Sequence, residues 1–258
     1  MKRIATAAVL IPLVSYVALW GPQWLFLVVT AAVALLCFRE YSAIVAGHKI
    51  ERPGPVGYAA GLLVLLLPQH EPLLVILLTL VALALMVRSA DLARGLPGAA
   101  ALILGVLYVF GCWRAGVELR AINPYWLFFA LSLNWLGDTA AYFAGSTIGR
   151  HKLAPRLSPA KTWEGSVASV AASLAFGYFY LGWLIPGVSP LERLAVSLAG
   201  NLAGQLGDLV ESLMKRGAGI KDSGNLLPGH GGWLDRVDST LFAMPVIYAL
   251  LLVVLGRQ

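Results

Sequence analysis

The sequence predicts an all-α polytopic integral membrane protein, and three observations carry that prediction. The chain is 59% hydrophobic and only 12% charged, with a mean hydropathy of +0.79, whereas soluble domains carry about 25% charged residues. No core of 258 residues needs so much apolar surface, so lipid has to be the solvent for much of it. Apolar runs recur from one end of the chain to the other, and the basic residues between them fall mostly on one side.

In order, the runs lie at about residues 4–20, 23–46, 55–68, 72–90, 97–119, 124–148, 164–185, 191–214 and 239–256. Most reach the ~20 residues that cross a hydrocarbon core, the run at 55–68 being the short one. Backbone groups in lipid must be satisfied internally, so each run is expected to be a helix, giving about nine transmembrane helices. The first run follows Met1-Lys2-Arg3 and has no small-residue cleavage site before Gly21-Pro22. It is expected to be a retained helix rather than a signal peptide. Cys37 and Cys112 lie inside apolar runs without partner spacing and read as small core residues.

The net charge of +6 would suit nucleic acid if it were clustered on one soluble face, but it is distributed otherwise. With a cytoplasmic N-terminus and nine helices, only Arg114, Arg120, Arg193 and Arg257 fall outside, leaving 15 of the 19 Lys and Arg residues inside. That is a strong positive-inside bias. It places the 150–163 and 215–238 loops together in the cytoplasm and excludes nucleic acid as the partner. With no internal repeat and no dividing linker, residues 1–258 read as one membrane domain. Residues 1–120 are mainly scaffold and 121–258 hold the chemistry.

Asp208–Ser239 holds five of the 13 acidic residues (Asp208, Glu211, Asp222, Asp235 and Asp238) beside Lys215, Arg216, Lys221 and Arg236. If the preceding helix ends near Arg216, Asp208 lies ~12 Å inside it, at 1.5 Å per residue. Asp208, Glu211 and Ser212 then share one face, continued by Asn201, Gly204 and Gln205. Asn134 and Asp138 repeat the pattern on the 124–148 helix, with Asp138 ~15 Å deep. A carboxylate at such depth costs several kcal/mol unless it meets water, a cation or a paired charge. It either locks helix packing against an Arg or lines a polar cavity open to the cytoplasm.

Clustered carboxylates with Ser and Asn nearby suit a hard cation such as Mg²⁺. The adjacent Lys and Arg side chains suit phosphate oxygens, and the two sets together point to a phosphate bridged by metal. Gly217, Gly219, Gly224, Gly229, Gly231 and Gly232 serve either turn geometry or close approach of backbone N–H groups to an anion. His230 is an acid, a ligand or a hydrogen-bonded loop residue. In the second loop, 150–166, Ser158, Lys161, Thr162 and Glu164 precede an apolar helix. Ser158 and Thr162 read as helix-start residues, and a helix N-terminus flanked by Lys161 is either an anion site or a plain cap. His151, Lys152 and Arg156 are placed to touch anionic headgroups.

These residues carry a resemblance. Ser212-Leu-Met-Lys215-Arg216, then Lys221-Asp222-x-Gly224, then Pro228-Gly-His230-Gly231-Gly232-Trp-Leu-Asp235-Arg236-Val-Asp238 resembles the signature of the phosphatidate cytidylyltransferases, the CDP-diacylglycerol synthases. GDTAAYFAG (137–145) and LSPAKTWEGS (157–166) resemble further family blocks; Ala160 departs, standing where a second Lys is expected. The resemblance implies a bacterial inner-membrane nucleotidyltransferase of phospholipid biosynthesis. It would take CTP and phosphatidate from water and membrane lipid, use Mg²⁺, and release CDP-diacylglycerol and pyrophosphate. It implies Asp208 and Asp235 as metal ligands, with Asp138, Asp222 and Asp238 as further ligands or their supports. Lys215, Arg216, Lys221 and Arg236 would hold the triphosphate and the lipid phosphate. Ser158, Lys161, Thr162, Ser212, His230, Gly231 and Gly232 would bind substrate, His230 in a positioning role. The resemblance also allows a homodimer. Two rivals remain: a CTP-dependent enzyme of another lipid phosphate, and an ion-coupled transporter, whose inverted repeats are not evident.

Overall fold

A computed structural model describes residues 2–67, 71–87, 89, 91–226, 231–253 and 256. His230 lies outside the described residues. Helices α1 (Lys2–Leu19), α2 (Gln23–Gly47), α3 (Pro55–Leu66), α4 (Glu71–Met86), α5 (Leu92–Gly105), α6 (Cys112–Ile122), α7 (Pro124–Thr147), α8 (Trp163–Leu184), α9 (Pro190–Gly217) and α10 (Leu234–Val253) account for most of them. A π-helical turn, Val106–Gly111, joins α5 to α6 without a break, so one rod covers the 97–119 run. Every apolar run predicted from the sequence is therefore helical over most of its described length, several losing the helix in their last few residues.

By length and composition, three described helical stretches suffice to cross a membrane: Gln23–Gly47, Leu92–Ile122 and Trp163–Leu184. Helices α7 and α9 are long enough, but polar side chains such as Asp138 and Asp208 interrupt their apolar character. The chain is an all-α membrane protein with one small exception. The 150–163 loop is a two-stranded antiparallel hairpin of β1 (Lys152–Ala154) and β2 (Ser158–Thr162). Ser158 therefore lies in a strand and not at a helix start, whereas Thr162 does cap α8, its Oγ1 accepting from Gly165 N at 3.1 Å. Asp91 and Asn123 cap α5 and α7 in the same manner, and Pro124 occupies the first turn of α7 where its missing N–H costs nothing.

The chain divides into two compact units. The first comprises Met1–Pro12, Gly21–Arg114 and Met214–Arg236. Its core is aromatic: Phe38 packs on Tyr41, Tyr58 and Phe110, with centroids 4.9–6.0 Å apart. Glycines make room for these rings, since a Cβ on Gly61 would strike Phe110 and one on Gly105 would strike Tyr41. The Tyr41 hydroxyl donates to Ala101 O at 2.9 Å, satisfying the one polar atom that ring buries.

The second unit comprises Leu13–Trp20, Ala115–Leu213 and Val237–Gln258. Here α7 and α8 pack along their length, with Phe129 stacked on Phe176 at 6.1 Å and Tyr180 Oη donating to Tyr125 O at 3.0 Å. Small residues set the closeness of approach, as expected for helices in lipid. A Cβ on Gly137 would lie 2.7 Å from Ser169 Oγ and 2.8 Å from Asn201 Nδ2. That glycine brings α7 against polar side chains of α8 and α9.

Candidate active site

Within the second unit, the hairpin delivers Lys161 to α9. Its Nζ lies 2.5 Å from Asp208 Oδ2, with the two side chains 24% and 29% exposed. Ser212, one turn further along α9, reaches toward Asp208 Oδ1 at 3.5 Å. Asp208 and Lys161 line a cavity of about 380 Å³ together with Asp138, Thr162, Ser166 and Gln205. Asp138 is exposed on its wall. Glu211, on the face assigned to Asp208, is instead fully buried.

Beneath Asp208 runs a chain of side-chain amides and hydroxyls. Ser166 Oγ donates to Gln205 Oε1 at 2.5 Å, Gln205 Nε2 to Asn201 Oδ1 at 2.7 Å, and Asn201 Nδ2 to Ser169 Oγ and Ser173 Oγ, both at 2.9 Å. The expected polar face of α9 thus continues into the unit and finds its partners on α8. Such a network orients Gln205 at the cavity wall, because each amide is held at both its oxygen and its nitrogen. Gly145 and Gly149 let the end of α7 sit against Thr162, whose Oγ1 would lie 3.1 Å and 2.8 Å from their added Cβ atoms.

Within the first unit, Asp235 is the centre of a second charged cluster. It belongs to the first turn of α10 and not to a loop, which corrects the expectation of a loop carboxylate. Lys215 Nζ donates to its Oδ1 at 2.5 Å, Ser223 N to its Oδ2 at 2.9 Å, and Gly232 N to the same oxygen at 2.8 Å. The side chains of Lys215 and Asp235 are only 11% and 5% exposed. Burial alone would push the Asp235 carboxyl up; Lys215 and the two amides outweigh it and hold the group below the ordinary carboxylate range. Gly231 sits at φ +79°, the left-handed region that favours glycine, with an added Cβ 2.6 Å from Asp235 Oδ2.

The other candidates are placed as follows. Lys221, Asp222, Arg216 and Arg236 are exposed, and Arg216 Nη1 donates to Ile220 O at 3.1 Å. Asp238 is buried, its Oδ1 accepting from Ser239 N at 2.7 Å. Ser158 is half-buried in β2. The N–H of Gly232 is taken by Asp235 in this arrangement, so its first service is internal.

Sequence reasoning passed over Glu40. This carboxylate of α2 is 4% exposed and accepts from Ser223 Oγ at 2.9 Å, Trp233 N at 3.1 Å and Leu234 N at 2.8 Å. Its signal was present: an ionisable residue seven positions inside an apolar helix is ~10 Å deep, the criterion applied to Asp208.

Among the described residues no three His, Cys, Asp or Glu side chains converge as a ready-made metal cage. Mg²⁺ asks for less, since it is commonly held by one or two carboxylates together with water and phosphate oxygens. Asp208 and Asp138 on one cavity wall, with the oxygens of Thr162, Ser166 and Gln205, form a donor set that suits such an ion. At Asp235 three donors already meet the carboxylate, with Ser223 N reaching both of its oxygens.

The comparisons agree with the geometry. The model of the cytidylyltransferase family matches residues 1–254. A phosphatidate cytidylyltransferase of Staphylococcus aureus is 34% identical over 258 residues, covering 97% of this chain and 99% of its own. One of Staphylococcus saprophyticus is 36% identical over 78% of this chain and 79% of its own, and one of Bacillus subtilis 42% identical over 57% and 56%. With a match running through nearly the whole chain, the chain belongs to the cytidylyltransferase family.

Proposed function

We propose that the protein transfers the cytidylyl group of CTP to phosphatidate, giving CDP-diacylglycerol and pyrophosphate. The similarity to phosphatidate cytidylyltransferases over 97% of the chain carries this reading. The cavity holding Lys161 and Asp208 supports it, because it pairs a cation for phosphate with a carboxylate for metal. An oxygen of the phosphatidate phosphate attacks the α-phosphorus of CTP; the new P–O bond forms as the bond to the bridging oxygen of pyrophosphate breaks. The attacking oxygen is already anionic, so no general base is required of the protein.

What the side chains supply is position and charge. Asp208 and Asp235 are the proposed Mg²⁺ ligands, with Asp138 a further one and Asp222 and Asp238 in support. Bound Mg²⁺ would orient phosphate oxygens and offset the charge that develops on pyrophosphate. Lys161 and Lys215 each hold a carboxylate and present an ammonium group to phosphate, while the exposed Arg216, Lys221 and Arg236 are the proposed contacts of the triphosphate. Gly231, Gly232, Ser158, Thr162, Ser212 and His230 complete the proposed substrate contacts. We further propose nine membrane crossings with a cytoplasmic N-terminus, in the bacterial inner membrane, so that CTP arrives from water and phosphatidate from lipid.

The test is an assay of the purified protein with α-labelled CTP against a panel of lipid phosphates. Label is expected in CDP-diacylglycerol with phosphatidate as acceptor. Labelling of a polyprenyl phosphate instead, with none on phosphatidate, overturns the substrate assignment.

A further inference from the structure

We infer that Glu40 is a positioning residue for nucleotidyl transfer, holding the segment that presents Asp235; this rests on the reading of Asp235 given above. Glu40 is a buried carboxylate of α2 beside the exposed Arg39, and among the described residues its three hydrogen bonds come from Ser223, Trp233 and Leu234. Two come from backbone N–H groups at the start of α10, where a helix leaves its first donors unsatisfied and its dipole favours a negative charge. The third comes from Ser223, whose own N–H donates to Asp235. Glu40 therefore grips the Asp235 carboxylate from both sides, through Ser223 on one and the α10 N-terminus on the other.

Two signature glycines have their explanation here. A Cβ on Gly224 would lie 2.6 Å from Glu40 Oε1, and one on Gly232 would collide with Glu40 Oε2 and Ser223 Oγ. They are small because Glu40 occupies the space, which is a different demand from approach to an anion. The hydrogen bonds of Glu40 to Ser223, Trp233 and Leu234 all lead to the Asp235 segment, so its influence on the reaction is expected to run through Asp235.

The experiment compares Glu40→Gln, Ser223→Ala and the double variant with the wild type in detergent. It reads kcat, the KM for CTP and for phosphatidate, and amide hydrogen exchange along the chain. Glu40→Gln keeps the shape but turns an NH₂ group toward backbone donors. Loss of a partner that holds a ligating group costs roughly 10–100-fold, and a kcat decrease of that order is expected with the phosphatidate KM unchanged. Exchange is expected to rise over residues 221–235 and not elsewhere. Ser223→Ala should show a smaller effect of the same kind, and the double variant less than the product of the two, since they share one hydrogen bond. Wild-type kcat and exchange in Glu40→Gln overturn the inference. So does a loss in which exchange rises throughout the chain and every kinetic constant worsens together. If the wild type itself fails to turn over CTP and phosphatidate, the functional reading fails, while the exchange pattern still decides whether Glu40 holds the segment.

Discussion

Lys161 and Asp208 lie 47 positions apart in the chain and 2.5 Å apart in space, one at the end of a β-hairpin and the other deep in α9. They belong to different local segments, yet together they line one polar cavity of the second unit. A carboxylate alone there would repel a triphosphate, and the hairpin lysine offsets that charge. Their pairing supports a site that takes both a cation and phosphate.

Asp208→Asn is expected to abolish turnover while the protein still inserts and purifies. Loss of a metal ligand removes several kcal/mol of charge stabilisation, on the order of 10²-fold or more in kcat. Full activity of the purified variant with CTP and phosphatidate would remove Asp208 from the metal site. Lys161→Ala is expected to raise the KM for CTP, because it deletes a phosphate-facing charge and removes the ion-pair partner of Asp208.

Lys215→Met should cost stability as well as activity. Its ammonium is the counter-charge of a nearly buried carboxylate, and breaking such a pair costs about 3–5 kcal/mol. Denaturant or thermal unfolding in detergent measures the loss; a variant as stable as the wild type would show that the amides of Ser223 and Gly232 satisfy Asp235 unaided.

Metal removal gives an independent check. Chelation with EDTA is expected to stop turnover and added Mg²⁺ to restore it, with no change in the elution of the protein. Activity that persists in chelator contradicts a role for Asp208 and Asp235 as Mg²⁺ ligands.

Topology can be read with a single cysteine. Asn225 is exposed, whereas Ser223 is buried against Glu40 and would report poorly. In a background lacking Cys37 and Cys112, Asn225→Cys is expected to react with an impermeant thiol reagent only when the cytoplasmic face is open. Labelling from the outside of intact cells would reverse the proposed orientation.

Much of this was legible in the chain as written. Apolar runs of about 20 residues dictate helices because lipid offers the backbone no other partner, and α1 to α10 follow those runs closely. The charged stretch from Asp208 to Ser239 carried the signature of the family to which the chain belongs, while its metal chemistry stays a proposal. Spacing along one helix placed Asn201, Gln205 and Asp208 in line, and the structure extends that line through Ser166 and Ser169.

Partner choice was decided only by the tertiary structure. Helical periodicity says which residues share a face, but not which face of another element meets it. The hairpin that carries Lys161 to Asp208 lies in a span that reads as a loop. The α10 turn that takes in Asp235 begins before the apolar run does. Glu40 binds residues 183 and more positions away, a relation no local pattern encodes. A buried charge is tolerated only where its donors converge, and convergence is a property of packed elements, not of the order of residues within any one of them.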